Sequence, residues 1–99
     1  MMDEDGYPYD AELGRIAQWP HTDIPGLIDY VIGLWHYPNS AWRDGEKYCF
    51  ATGGWSGNES IMDALAQNHM FWTLCWQLSE RGGYYEFEIP EAFREASHG

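Results

Sequence analysis

Basic residues are scarce in this chain: five lysines and arginines stand against sixteen aspartates and glutamates over 99 residues, a formal charge of −11. Phosphate backbones repel such a body, so direct binding to DNA or RNA is disfavoured and association is steered towards basic partners. Cysteine is nearly absent. Cys49 and Cys75 each sit inside an apolar run with no close spacing between them, which makes neither a disulfide framework nor a zinc knuckle and reads as two reduced thiols in a core. No stretch reaches the ~20 apolar residues that a bilayer span requires, and Met1 to Asp5 lacks the basic-then-apolar pattern of a signal peptide. The expectation is a soluble, cytoplasmic protein with no membrane partner.

Catalytic patterns are missing too. The histidines at 21, 36, 69 and 98 form no H-E-x-x-H and no His-Cys ligand spacing, and His21 with Asp23 supplies two metal ligands at most. No metal, no cofactor and no enzymatic activity are expected.

What the chain does have is aromatic surface: six tryptophans, seven tyrosines and four phenylalanines, 17% of all residues. That is a globular composition, since disordered chains are poor in rings. A chain of this length forms one domain with a modest core, burying roughly two thirds of its unfolded surface. Some rings must be core, and the remainder point to a contact surface. The charge is carried mainly by the two ends: residues 1–30 hold −6, residues 31–79 −2 and residues 80–99 −3. Acidity of this kind also keeps an aromatic-rich protein in solution.

Residues 1–9 are acidic and aperiodic and read as an N-terminal arm, 10–90 as a single globular domain, and 91–99 as a tail with at most one frayed helical turn. A short helix is expected from an Asp10 cap through Leu13, Ile16 and Ala17 to a stop at Pro20, weakened by Gly14. The strongest helical signal spans residues 24–36, where Ile24, Leu27, Ile28, Val31, Ile32 and Trp35 recur at three- and four-residue steps. Thr22 or Asp23 caps it, Pro25 is tolerated in the first turn, and Pro38 ends it. Residues 38–45 are rich in turn formers and read as a loop around Trp42 and Arg43. Lys47 to Thr52 is a short strand closed by Gly53 and Gly54.

Thr52-Gly53-Gly54-Trp55-Ser56-Gly57-Asn58-Glu59 is the most specific local pattern. A glycine-rich turn leaves a strand and feeds a helix to about Asn68, with Ser56 and Glu59 in capping-box register. The same layout describes an anion cradle at a helix N-terminus. It lacks a G-K-[ST] or G-x-G-x-x-G ending, however, and Glu59 would repel phosphate. As a G-x-S-x-G elbow it fails at Asn58, where the last glycine belongs. From His69 to Ser79 the apolar residues alternate as in a strand, and with the turn Glu80-Arg81-Gly82-Gly83 and the alternating Tyr84 to Ile89 they predict an antiparallel hairpin. The predicted fold is α+β: a small, mainly antiparallel three-stranded sheet against about three helices, in the order α-α-β-α-β-β. Its exposed edges make a homodimer through edge pairing a natural possibility.

The T-G-G-W-S-G-N-E segment, followed by Phe71-Trp72-x-Leu74-Cys75-Trp76 and Arg81-Gly82-Gly83, resembles small uncharacterised proteins encoded in phage and prophage genomes. The resemblance covers most of the chain and transfers no functional residue. It implies a context: small acidic phage proteins are often viral inhibitors of host defence, anti-CRISPR proteins and DNA mimics among them. The expectation is therefore a non-enzymatic, phage-type protein that binds and inhibits a basic, nucleic-acid-binding defence protein in the bacterial host cytoplasm. Asp3, Glu4, Asp5, Asp10 and Glu12 would supply electrostatic contact, with Trp42 and Trp55 as anchors. The alternative is a nucleotide sponge binding at Gly53, Gly54, Trp55, Ser56, Gly57 and Asn58, where the backbone from Gly53 to Gly57 would hold phosphate and Trp55 or Trp72 would stack on the base. A structural or regulatory phage component is a third reading.

Overall fold

A computed structural model of the chain describes residues 8–36 and 40–94. Among the described residues, four α-helices and a four-stranded antiparallel sheet form two layers. The chain order is α1 (Asp10–Ala17), α2 (Ile24–Leu34), β1 (Ala41–Asp44), β2 (Lys47–Ala51), α3 (Ser56–Gln67), α4 (His69–Cys75), β3 (Trp76–Glu80) and β4 (Tyr84–Glu88), with single 3-10 turns at His21–Asp23 and Glu91–Phe93. The strand order across the sheet is β1-β2-β4-β3. The α+β class stands. The three-stranded sheet, the count of about three helices and the order α-α-β-α-β-β are corrected to four strands, four helices and α-α-β-β-α-α-β-β.

Both corrections have local causes. Residues 41–44, expected to be loop, pair with β2 from Ala41 opposite Phe50 to Asp44 opposite Lys47. Gly45 and Glu46 form the two-residue loop, and Gly45 takes the left-handed φ of +64° that the tight reversal needs. The run 69–79, expected to be one strand, is divided at Cys75. Its first half is helix α4, which puts Phe71 and Cys75, four residues apart, on one buried face. Asn68 caps this helix by accepting from the Phe71 N–H (3.2 Å) and donates to Ile16 O and Trp19 O (3.0 Å each), tying the α3–α4 corner to the end of α1.

Helix α2 follows its sequence pattern. The Asp23 carboxylate accepts from the Gly26 N–H at the N-terminus, Pro25 lies in the first turn, and Ile24, Leu27, Ile28 and Val31 are buried. The helix stops at Leu34, and Ile32 points outward, 43% exposed. Helix α1 starts with Tyr9, not Asp10, at the cap position, and the Glu12 carboxylate accepts from the Tyr9 N–H (2.8 Å). In α3 the cap position is Trp55 and Ser56 is already the first helical residue. The Glu59 N–H donates to Trp55 O, so the predicted Ser56–Glu59 capping box is out of register by one residue.

The core lies between the layers. Phe50 and Phe87 project from the inner face of the sheet, with ring centroids 6.0 Å apart, and meet Trp35 (5.0 Å from Phe50) and Phe71 (5.1 Å from Phe87) from the helical side. Each such ring contributes about 1.5–3 kcal/mol by leaving water. Cys75 is fully buried here, and burial pushes its thiol up to about 12.

Candidate functional site

Strand alternation assigns the other face of the sheet. Pairing puts Trp42 opposite Cys49 and Cys49 opposite Glu86; Lys47 lies opposite both Asp44 and Glu88, Ala51 opposite Tyr84, and Leu78 and Glu80 opposite Glu86 and Tyr84. All of these share the side away from Phe50 and Phe87. Among the described residues no helix packs on this side. Trp42 is 45% exposed and Leu78 36% exposed.

The centre of this face is built from three strands. Trp42 on β1 reaches across β2 to Tyr84 on β4, with ring centroids 5.9 Å apart and planes inclined at 30°. Cys49 lies between them in register and is only 2% exposed. The Tyr84 hydroxyl donates to Glu86 Oε2 (2.6 Å), and Lys47 Nζ stands 3.4 Å from Glu86 Oε1. The hydrogen bond from Tyr84, aided by the Lys47 ammonium, holds the Glu86 carboxyl below its ordinary range. The same bond, with a smaller contribution from the Cys49 thiol, raises the Tyr84 phenol. Among the described residues, the carboxylates of Asp44, Glu80, Glu86 and Glu88 share the face with the Lys47 ammonium. Arg94 approaches from the edge, 3.6 Å from Glu88 and 3.5 Å from Glu46, and exposed pairs of this kind are worth no more than about 1 kcal/mol.

The glycine-rich turn has a different character. Gly53 and Gly54 (φ +66° and +75°) lie against a second doublet, Gly82 and Gly83 (φ +97° and +88°), through a Thr52 N–H to Gly83 O bond of 2.9 Å. A Cβ on Gly83 would collide with the Thr52 hydroxyl, and one on Gly57 would overlap the Trp55 ring. Trp55 therefore lies back over the start of α3, where it stacks on His36 at 4.3 Å and 25°. Asn58 is fully buried. Its amide oxygen accepts from the His36 N–H (2.9 Å), and its nitrogen donates to His36 O (3.0 Å) and, at a long 3.5 Å, to Thr52 O. The Trp55 and Asn58 side chains at this turn are thus both engaged with the chain at His36. Trp72 belongs to another ring cluster on α4, 5.3 Å from Phe87 and 6.4 Å from Trp76.

Of the residues expected to carry electrostatic contact, Asp3, Glu4 and Asp5 lie outside the described residues. Asp10 is exposed on the first turn of α1. Glu12 is not available for a surface contact: it is 6% exposed and turned towards the Tyr9 N–H. Trp42 is an exposed ring on the open sheet face, whereas Trp55 is half-buried against His36. Tyr84, Glu86, Glu88, Leu78 and Glu80 were missed as site residues. The i, i+2 spacing of Tyr84, Glu86 and Glu88 was the available signal, because it puts an aromatic and two acids on one side of a strand. Among the described residues no cluster of histidine, cysteine and acids could hold a metal, and no helix is long and apolar enough to cross a membrane.

Comparison with known proteins leaves the site to its own geometry: no protein-family model, curated protein or solved structure matches the chain.

Proposed function

We propose that this is a non-enzymatic binding protein that uses the open face of its sheet to engage a basic protein. The observation that carries the reading is Trp42, half exposed on the edge strand β1 in contact with Tyr84, on the same sheet face as Asp44, Glu80, Glu86 and Glu88. A tryptophan anchor at the edge of a carboxylate-rich sheet face complements an arginine-rich surface. The ring takes a guanidinium by cation–π contact, and the acids steer the encounter and pair with the flanking bases. Nucleic-acid-binding proteins present surfaces of that kind, and a chain of charge −11 competes for them. The partner we propose is such a protein in the bacterial cytoplasm, a defence component being the case the phage-like sequence favours, with inhibition following from occupancy of its nucleic-acid surface. The exposed β3 edge further fits pairing with a second copy.

The nucleotide-sponge reading has less support, because Trp55 is already stacked on His36 and the Asn58 amide is engaged by His36 and Thr52.

The test is capture from a bacterial lysate by the wild-type chain and by Trp42→Ala in parallel. Any protein retained only by the wild type is then purified and assayed for nucleic-acid binding with and without the captor. Expected are a basic partner, an affinity that falls as salt rises, a loss of about 30-fold for Trp42→Ala, and displacement of nucleic acid from the partner. Equal capture by both chains, or an affinity indifferent to salt, would overturn the proposal.

A further inference from the structure

Lys47, on the inner strand β2, is a base set into an acidic face, and the carboxylate it pairs with is not the one that strand pairing alone would give it. Register puts it directly opposite Asp44 on β1 and Glu88 on β4. Among the described residues its ion pair is with neither of these: Nζ stands 3.4 Å from Oε1 of Glu86, the diagonal neighbour that lies opposite Cys49. Glu86 is the more sheltered member of the pair, its side chain 18% exposed against 49% for Lys47. Its other oxygen accepts from the Tyr84 hydroxyl at 2.6 Å, and the Tyr84 ring lies 5.9 Å from that of Trp42. Trp42, Tyr84 and Glu86 are thus one connected group. Lys47 stands at the Glu86 oxygen that Tyr84 leaves open.

A cation arriving over Trp42 therefore finds this oxygen already attended. The attendant is loosely held, because 3.4 Å is well beyond the roughly 2.7–2.9 Å of a charge-assisted hydrogen bond and exposed ion pairs contribute little. A lysine from a partner would exchange one ammonium for another. An arginine brings more: its planar guanidinium offers the carboxylate two parallel N–H groups and stacks on an indole ring, whereas an ammonium is a point charge on a flexible stem. We infer that Lys47 is a built-in competitor for Glu86, holding that carboxylate in the free protein until an arginine of the partner displaces it, so that the face selects arginine-bearing surfaces over lysine-rich ones. This rests on the reading of the sheet face proposed above and adds to it the residue that guards the site. The internal ammonium lowers the affinity for every base. It thereby sets a threshold that an indiscriminately basic surface fails to pass, which is a repulsive element of specificity.

The experiment measures by calorimetry the affinity of the full chain for capped octa-arginine and octa-lysine peptides at about 0.15 M salt, where distant charges are screened. Wild type is compared with Lys47→Gln, Glu86→Gln, the double variant, Trp42→Ala and Arg15→Gln. Arg15 is exposed on α1, in the helical layer, so its removal changes the net charge equally but away from the face. Glu86→Gln keeps an oxygen for the Tyr84 hydroxyl. Expected are tighter binding of octa-arginine than of octa-lysine, and a gain of about threefold or more for octa-arginine in Lys47→Gln, larger than the gain in Arg15→Gln. Most of that gain should vanish in the Glu86→Gln background, the non-additivity of two residues that act through each other. Equal binding of the two peptides, a Lys47→Gln gain no larger than that of Arg15→Gln, or a gain retained in full without the Glu86 charge would each overturn the inference and leave the face itself standing. Octa-arginine binding to Trp42→Ala as tightly as to wild type would overturn the reading of the face, and this inference with it.

Discussion

Replacing Asn58 by alanine removes the side chain that joins the first turn of α3 to the chain leaving α2, and the structure allows its cost to be worked out. Two hydrogen bonds of good length disappear, His36 N–H to Oδ1 at 2.9 Å and Nδ2–H to His36 O at 3.0 Å; the third, to Thr52 O at 3.5 Å, is too long to count for much. Each is worth about 1 kcal/mol net, and stranding the peptide groups they served adds about 1–3 kcal/mol. His36 is only half-buried, so water recovers part of the second contribution, and the expected loss is about 2–4 kcal/mol. In a domain of this size that lowers the melting temperature by about 10–25 °C. Asn58→Asp preserves the shape but turns two donated bonds into a carboxylate facing carbonyl oxygens, so at neutral pH it should be no more stable than the alanine variant. Urea denaturation followed by far-ultraviolet circular dichroism measures both. If Asn58 were an ordinary residue on a helix, alanine would cost no more than about 0.5 kcal/mol, and a result that small would refute the clamp.

The glycines divide into two kinds. Gly14 is inside α1 with nothing within 4 Å of the Cβ it lacks, so Gly14→Ala should stabilise by about 0.5–1 kcal/mol. Gly83→Ala, at φ +88° and in collision with the Thr52 hydroxyl, should destabilise by more than that, and thermal melts of the two variants should move in opposite directions. The Glu86 carboxyl, held low chiefly by the Tyr84 hydroxyl, stabilises the fold at neutral pH, and that contribution fades as pH falls through its depressed folded value. A carbon-detected titration of Glu86 should show the midpoint rise in Tyr84→Phe, and an unmoved midpoint would mean that the hydrogen bond does not form in solution.

Much of the local structure was legible in the sequence. Helix α2 was readable because its stripe, its Asp23 cap and Pro25 all act within a few residues of one another. The glycine doublets at 53–54 and 82–83 were readable as turns, since only glycine readily takes consecutive positive φ values. The strand at residues 41–44 was hidden by the turn formers around it, although Gly45 opening a two-residue loop was a hairpin signal. The segment 69–79 was ambiguous in principle, because a run of nearly continuous apolar residues satisfies a period of two and a period of 3.6 equally well. Phe71 and Cys75 meeting the sheet's inner face settled the first half as helix. The candidate face is half-visible in the sequence: Trp42 stands out in a turn-rich segment, but the acids that share its face lie on β3 and β4, more than 35 positions on, apart from Asp44.

Composition and periodicity by themselves determined the class, the acidity, the core face of α2 and the sites of chain reversal, since each depends on residues close together in the chain. Only tertiary structure decided that Trp42 would lie against Tyr84, that Asn58 would clasp a peptide 22 positions away, and that Glu12 would turn inward. Those outcomes depend on which elements become neighbours. A side chain is exposed, paired or buried according to what the fold brings opposite it, and no stretch of sequence contains its own opposite side.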